Sequence, residues 1–382
     1  MKTHYFDYAS ATPMDEGVRQ RMQPYFSTSF YNPSATYLPA QAVRRELEAA
    51  RSIVGDIIGA RKSEVVFTAG GSEANNLAIQ GVMGQFPEAN VVISDIEHES
   101  VIRPAQLFKH AKAPVLPNGI VDVDRLISLV DNQTVLVSVM YANNEVGTVQ
   151  PIRAIAKELE SIRRQRRQVG NMLPLYFHTD AAQAAAYLDL HVSRLGVDLM
   201  TVNGGKIYGP KQSGLLFVSS RVTICPIIWG GGQERGMRSG TENVAGVIGL
   251  AAALQLVQGR RHDESLRLQQ LQALFWKLLK KKLPNAVING SLTQRLPNNM
   301  HITLPYQDNE RMLLELEEQG ILAAAGSACS ASDEEPSHVL RAMGLSDQEA
   351  RSSLRFTMGV LTLEEDILTL VAALEDLIRH TA

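Results

Sequence analysis

Four runs of residues in this 382-residue chain carry side chains suited to chemistry on a flat, anionic ligand. In Gly70-Gly71-Ser72-Glu73, two glycines between a strand pattern and a helix pattern let the backbone approach an anion. The helix N-terminus then attracts that anion, and the Ser72 hydroxyl adds a donor. Taken alone, the run is equally a tight turn with an N-cap. In Phe177-His178-Thr179-Asp180-Ala181-Ala182-Gln183, the aspartate ends an apolar strand and can pair with a protonated ring nitrogen. Its alanine neighbours leave space for a flat ring, although a capping aspartate is the ordinary reading. In Asn203-Gly204-Gly205-Lys206-Ile207-Tyr208-Gly209-Pro210, the lysine sits between glycines and a sharp turn. A lysine held near an apolar or cationic site loses affinity for its proton and can form a Schiff base. A lone lysine, by contrast, is usually a surface lysine. The fourth run, Ala323 to Ser332, sets Cys329 among small residues; by itself such a cysteine reads as a small buried hydrophobe. His98 following Glu97 caps a turn on the plain reading, and Arg355 is a surface charge on a short strand.

The elements expected to position these residues alternate. Val43, Leu47, Ala50, Val54 and Ile57 recur at helical steps over Ala42–Ile58, and Val65–Thr68 is a short apolar strand. Further buried strands are expected at Val91–Ser94, Val135–Met140, Leu175–Thr179, Leu199–Val202 and Gly214–Val218. Helices fall between most of them, at Asn75–Val82, Val123–Val130 and Ile152–Ile162. Apolar strands separated by helices imply a mainly parallel sheet covered on both faces, with ligands at the strands' carboxyl ends. Beyond residue 255 the pattern changes to a long helix, Glu264–Lys282, then short strands and helices of a smaller α+β unit. The composition is 45% hydrophobic and 20% charged with a net charge of −3, which argues against nucleic acid or a membrane surface as the main partner. The basic run Arg163, Arg164, Arg166, Arg167 reads as a solvated helix end. No window approaches the roughly 18 apolar residues of a spanning helix. Two cysteines far apart, Cys225 and Cys329, suit free thiols in a reducing cytoplasm.

At the level of whole motifs the chain resembles cysteine desulfurases of the class V aminotransferase family, the NifS/IscS-like type. The shared motifs run in order from Tyr5-Phe6-Asp7-Tyr8-Ala9 through Thr68–Asn76, Glu97-His98, Asn143–Gly147, His178–Gln183, Lys206–Pro210 and Gly230–Thr241 to Gly326-Ser327-Ala328-Cys329 and Leu354–Gly359. The resemblance implies an α/β fold, the PLP-dependent transferase fold type I. Its large domain would span 14–255, with a mainly parallel seven-stranded-type sheet. Residues 1–13 and 256–382 would form a small α+β domain carrying the catalytic cysteine loop. It implies pyridoxal 5'-phosphate (PLP) as cofactor and no metal. Lys206 would be the Schiff-base lysine, Asp180 the partner of the pyridine nitrogen, Gln183 a donor to the ring's phenolic oxygen, and His98 a ring-stacking residue able to shuttle protons. Gly71 and Ser72, with Thr241 from the second subunit of a homodimer, would hold the phosphate. Arg355 would bind the substrate carboxylate, and Asn144 would touch the substrate or the ring edge. The implied reaction takes sulfur from L-cysteine, leaves L-alanine and forms a persulfide on Cys329, with Cys329, Lys206 and His98 as the catalytic set. The sulfur then goes to an acceptor protein for iron–sulfur cluster or tRNA thiolation pathways, so nucleic acid is an indirect partner. Asp333, Glu334 and Glu335 oppose ionisation of a nearby thiol, which points to activation of Cys329 in the substrate site.

Two places depart from the family pattern. The residues that help bind the phosphate in relatives, a His just before the lysine and a Ser three before it, are here Gly205 and Asn203. Asn203 is expected to restore one hydrogen bond. After Met358-Gly359 a single helix near Leu363–Arg379 follows, shorter than the tail with which better-known relatives dock an iron–sulfur scaffold protein, which points to a different acceptor or a different dock. Another class V enzyme, such as a selenocysteine lyase or an aminotransferase, is the competing activity. A sulfur-relay or regulatory protein with a decayed site is the non-enzymatic one.

Overall fold

The computed structural model describes residues 3–326 and 335–381. Its strands, in chain order, are β1 (His4–Tyr5), β2 (Val65–Thr68), β3 (Asn90–Ser94), β4 (Lys109–Ala113), β5 (Thr134–Ser138), β6 (Tyr176–Asp180), β7 (Leu199–Asn203), β8 (Gly214–Val218), β9 (Val287–Ile288), β10 (Asn299–Thr303), β11 (Ile321–Leu322) and β12 (Ser353–Thr357). Seven of them form one sheet in the order β2-β8-β7-β6-β5-β3-β4. All neighbours pair parallel except β8, which runs antiparallel to both β2 and β7. The expected mainly parallel sheet is present. Strands β2, β5 and β8 are buried at every residue, which is why they read as unbroken apolar runs.

Helices cover both faces of this sheet. Leu38–Ile58 begins four residues before its clearest amphipathic stretch, with a proline in its first turn, and stops at Gly59 in the left-handed region (φ 69°). It buries Val43, Leu47, Ala50, Val54 and Ile58. The helix Gly71–Met83 follows β2 directly, reaching back four residues beyond the expected Asn75. A three-stranded antiparallel sheet, β12-β10-β9, and the parallel pair β1-β11 make up the smaller layer, flanked by the helices Arg261–Lys282 and Glu364–Thr381. Among the described residues no helix is long and apolar enough to cross a membrane.

Several differences from expectation have physical causes. The edge strand β4, Lys-His-Ala-Lys-Ala, is mostly exposed and lacks the apolar signal of its neighbours. Strand β5 ends at Ser138 rather than Met140, because the Met140 N–H is taken by the Glu97 carboxylate (2.7 Å). The basic run is only half solvated. Arg164 and Arg167 face water, but Arg166 is buried and donates to the Asp131 and Thr134 carbonyls, and Arg163 pairs with buried Asp198 at 2.6 Å. These guanidiniums satisfy carbonyls where strands begin, a role that no charge count reveals.

Candidate active site

The carboxyl ends of β2, β6 and β7 open on one cleft. Residues lining it include Gly71, Ser72, His98, Asn144, Asp180 and Gln183, with Asn203, Lys206 and Arg355 closing its other side. The structure thus brings together nine of the eleven candidate residues. Thr241 is exposed and does not line this cleft, and Cys329 lies outside the described residues.

Each lining side chain is held by a local feature. At the end of β2, Gly70 has φ 139°, a conformation L side chains rarely adopt, and it starts the helix Gly71–Met83 with no side chain capping it. A Cβ on Gly71 would come 3.3 Å from the Asn203 side chain, so the two turns approach closely only because residue 71 is glycine. Asp180, the last residue of β6, accepts from the Asn75 amide (2.7 Å) and the Ala182 N–H (2.8 Å). Lys206 ends a single 3-10 turn, Gly204–Lys206, that follows β7. Its ammonium donates to the carbonyls of Ala9 (2.7 Å) and Ser10 (2.5 Å), and Gln183 also donates to Ala9 (2.9 Å). Asn203 accepts from the Gly205 N–H at 3.1 Å. Beside Gly205 the cleft widens into a second space lined by Lys211 and the Gly70–Glu73 turn.

His98 precedes the helix Glu99–Ala105 and caps it: its Nδ1 accepts from the Ser100 N–H at 3.1 Å. The capping role and the cleft-lining role coincide in one ring. Arg355, in the middle strand region of β12, is 1% exposed, so it is no surface charge. It donates to Asp7 (2.7 Å), to Ser10 (2.9 Å) and to the Asn144 carbonyl (3.0 Å), while its Nε has no partner among the described residues. Ala324, just before the undescribed segment, exchanges backbone hydrogen bonds with Arg355. Beyond that segment, Ser337 donates to Glu145 (2.5 Å) and His338 to the Glu97 carbonyl (3.0 Å).

Beneath this layer, burial sets the charges. Glu97 is fully buried, and the loss of water pushes its carboxyl up to about 8, with the nearby Asp180 charge adding to the rise. His178 is also buried and is driven down to about 3 by the same cause.

Four residues of the site escaped the motif reading. Asp7 and Ser10 orient Arg355, and Asn75 and Ser100 link Asp180 to His98. Asp7 and Asn75 stand inside quoted motifs, so the signal was present but carried no assignment. Ser10 and Ser100 are ordinary serines whose value comes only from what the fold brings beside them.

The family model for class V aminotransferases matches residues 4–370. The cysteine desulfurase IscS of Dictyoglomus turgidum is 37% identical over 381 residues, covering 98% of this chain and 94% of its own. Among solved structures, a NifS-like protein superposes with a TM-score of 0.90 at 27% identity, covering 99% of this chain and 100% of that one. A structure of SspA in complex with cysteine gives a TM-score of 0.79 at 32% identity, over 93% and 99% of the two chains. With the sheet, the cleft and these matches in agreement, the chain belongs to the class V aminotransferase family, among its IscS- and NifS-like members.

Proposed function

We propose that this chain is a PLP-dependent cysteine desulfurase: it removes the sulfur of L-cysteine, releases L-alanine and holds the sulfur as a persulfide on Cys329. The observation that carries the reading is the meeting of Lys206, Asp180, Gln183, His98 and Arg355 on one cleft. The residues present fit the cofactor. An uncapped helix N-terminus with Gly71 and Ser72 suits a phosphate, Asp180 suits a pyridinium nitrogen, and Ala9, Ala142 and Ala182 leave a slot for a flat ring. When bound, PLP supplies an electron sink for charge that develops on the substrate.

The chain's own groups do the rest. Arg355 fixes the substrate carboxylate by charge-assisted hydrogen bonds, already aimed by Asp7 and Ser10. Lys206 takes the α-proton. The Cys329 thiolate bonds to the substrate sulfur as the carbon–sulfur bond breaks, and the electron pair left on carbon takes a proton to give alanine. Cysteine plus enzyme thiol becomes alanine plus enzyme persulfide, with no outside oxidant or reductant. Cys329 lies three residue steps beyond Gly326, a reach of at most about 11 Å. A Cβ on Gly326 would sit 3.4 Å from the Glu145 carboxylate, and Ser337 on the far flank bonds that same carboxylate. Both stems of the cysteine segment are therefore tied beside the cleft.

The exposed Thr241, outside its own chain's cleft, supports a homodimer in which it serves the partner's phosphate site. A protein acceptor in a reducing cytoplasm completes the reading. The test is to add L-cysteine to the PLP-loaded protein and map the added sulfur by peptide mass. Sulfur on Cys329, alanine in the supernatant, and loss of both in Cys329→Ser are expected. Undiminished alanine release by Cys329→Ser would overturn the reading and favour a lyase that needs no enzyme thiol.

A further inference from the structure

A buried chain of hydrogen bonds runs from Asp180 to His98 and fixes the direction in which protons point. The Asn75 amide nitrogen donates one hydrogen to Asp180 Oδ2 (2.7 Å) and the other to Ser100 Oγ (2.8 Å). Asn75 is 1% exposed, and its Oδ1 is buried with no partner among the described residues. The amide cannot turn over to satisfy that oxygen, because Oδ1 would then face the Asp180 carboxylate. Having accepted from Asn75, the Ser100 hydroxyl has its single hydrogen left for His98 Nδ1, 2.8 Å away. The Ser100 backbone N–H, which can only donate, also points at Nδ1 (3.1 Å). Two donors converge on one lone pair, so Nδ1 of the neutral ring bears no hydrogen and Nε2 bears it.

We propose that Asn75 and Ser100 are positioning residues that lock His98 as the Nε2–H tautomer, so that His98 acts as a hydrogen-bond donor through Nε2 and cannot take a proton there, while abstraction of the α-proton falls to Lys206. The inference rests on the proposed desulfurase reading for the identity of that proton, but the tautomer itself does not. The lock reports the Asp180 carboxylate to His98 through three hydrogen bonds. It also explains why a residue as poor in helix caps as histidine occupies the cap of Glu99–Ala105: the cap supplies the backbone half of the lock.

Histidine ¹⁵N NMR tests this on both the cofactor-free and the PLP-loaded protein, with the His98 signal assigned by its loss in His98→Gln. Wild type is expected to show a protonated Nε2 and an unprotonated Nδ1 in both forms. Asn75→Ala frees the Ser100 hydroxyl to rotate, and Ser100→Ala removes it; each is expected to yield mixed tautomers, whereas Ser100→Thr keeps the wild-type pattern. In the loaded enzyme, Asn75→Ala lowers kcat about tenfold or more with KM little changed, as expected when a positioned hydrogen-bond donor is lost. A wild-type ring protonated on Nδ1 overturns the proposal without any variant needing to fold. So does an unchanged pattern in both alanine variants. Loss of persulfide formation with the Nε2–H pattern intact would instead count against the desulfurase reading alone.

Discussion

Glu97 shows how burial, more than any neighbouring charge, can set a residue next to the chemistry. It is shut from water, and its Oε1 takes both the Ser94 hydroxyl (2.5 Å) and the Met140 N–H, yet its pKa still rises from 4.5 to about 8. Between those values the folded chain keeps a proton that the unfolded chain has lost, so stability falls as pH climbs from 4.5 to 8. His178 and His301, lowered from 6.5 to about 3, tilt the other way: the unfolded chain binds more protons between those values, and stability rises with pH until 6.5. Above pH 6.5 the Glu97 contribution is therefore unopposed by these two. Glu97→Gln is expected to flatten the fall between pH 6.5 and 8 by up to about 1.4 kcal/mol per pH unit. Urea midpoints of the two proteins across that range measure it, and parallel curves would refute it. Sequence could name Glu97-His98 as a motif, but no property of the two letters tells that the first is buried beside Asp180. That knowledge needs β3 and β6 in one sheet.

Gly230–Thr241 is one of the motifs shared with the family, but the moorings of this loop could not be read from its letters. Glu234, with φ 46°, and Arg235, with φ 59°, both sit in the left-handed region, and something must hold them there. The Glu234 carboxylate accepts two hydrogen bonds from Arg51 (2.7 and 2.8 Å) and one from the Phe67 N–H (3.0 Å), all buried. Arg51 also lies over the Phe67 ring, 4.6 Å from its centroid. Further along, Arg238 pairs with Glu73 in the first turn of the helix Gly71–Met83 (2.8 Å). The partners Arg51 and Glu234 stand 183 residues apart, and Arg51 looks like any charged helix residue until the helix is packed. Removing one partner strands a buried charge, so Arg51→Met should destabilise the protein by about 3–5 kcal/mol, and the double variant with Glu234→Met should recover much of that. On the role proposed for Thr241 in a partner's phosphate site, both should weaken PLP retention, because Thr241 ends the same loop. Thermal midpoints and cofactor titration separate the two effects; full retention of PLP in the double variant would show that the loop needs no such anchor.

At the scale of the molecule, the N-terminal segment is what joins the two layers around the cleft. Strand β1 pairs with β11, Asp7 bridges to Thr357 at the end of β12, and the Thr12 hydroxyl contacts Gly205 beside the lysine turn. Within six residues the segment supplies the acceptors for Lys206 and Gln183 and the counter-charge for Arg355. A sequence reading recovers six of the seven strands of the large sheet because they are buried, mainly apolar runs; β1 and β11 have two residues each and no periodicity, so this closure is visible only once both ends of the chain meet. The pair Asp7–Arg355 is the test of whether closure and substrate binding are one property. Arg355 is 1% exposed and has no other carboxylate partner among the described residues, so Asp7→Ala leaves a buried guanidinium uncompensated. A loss of about 2–4 kcal/mol in stability follows, somewhat below the fully buried case because Asp7 retains some contact with water. An arginine without its counter-charge attracts the substrate carboxylate more strongly but is no longer held in line, so kcat should drop while KM for cysteine does not rise in proportion. Added L-alanine, which carries the same carboxylate, should then raise the thermal midpoint of Asp7→Ala more than that of wild type, because the ligand replaces the missing charge. Equal shifts in the two proteins would mean that the N-terminal segment holds Arg355 for the fold alone and has no share in reading the substrate.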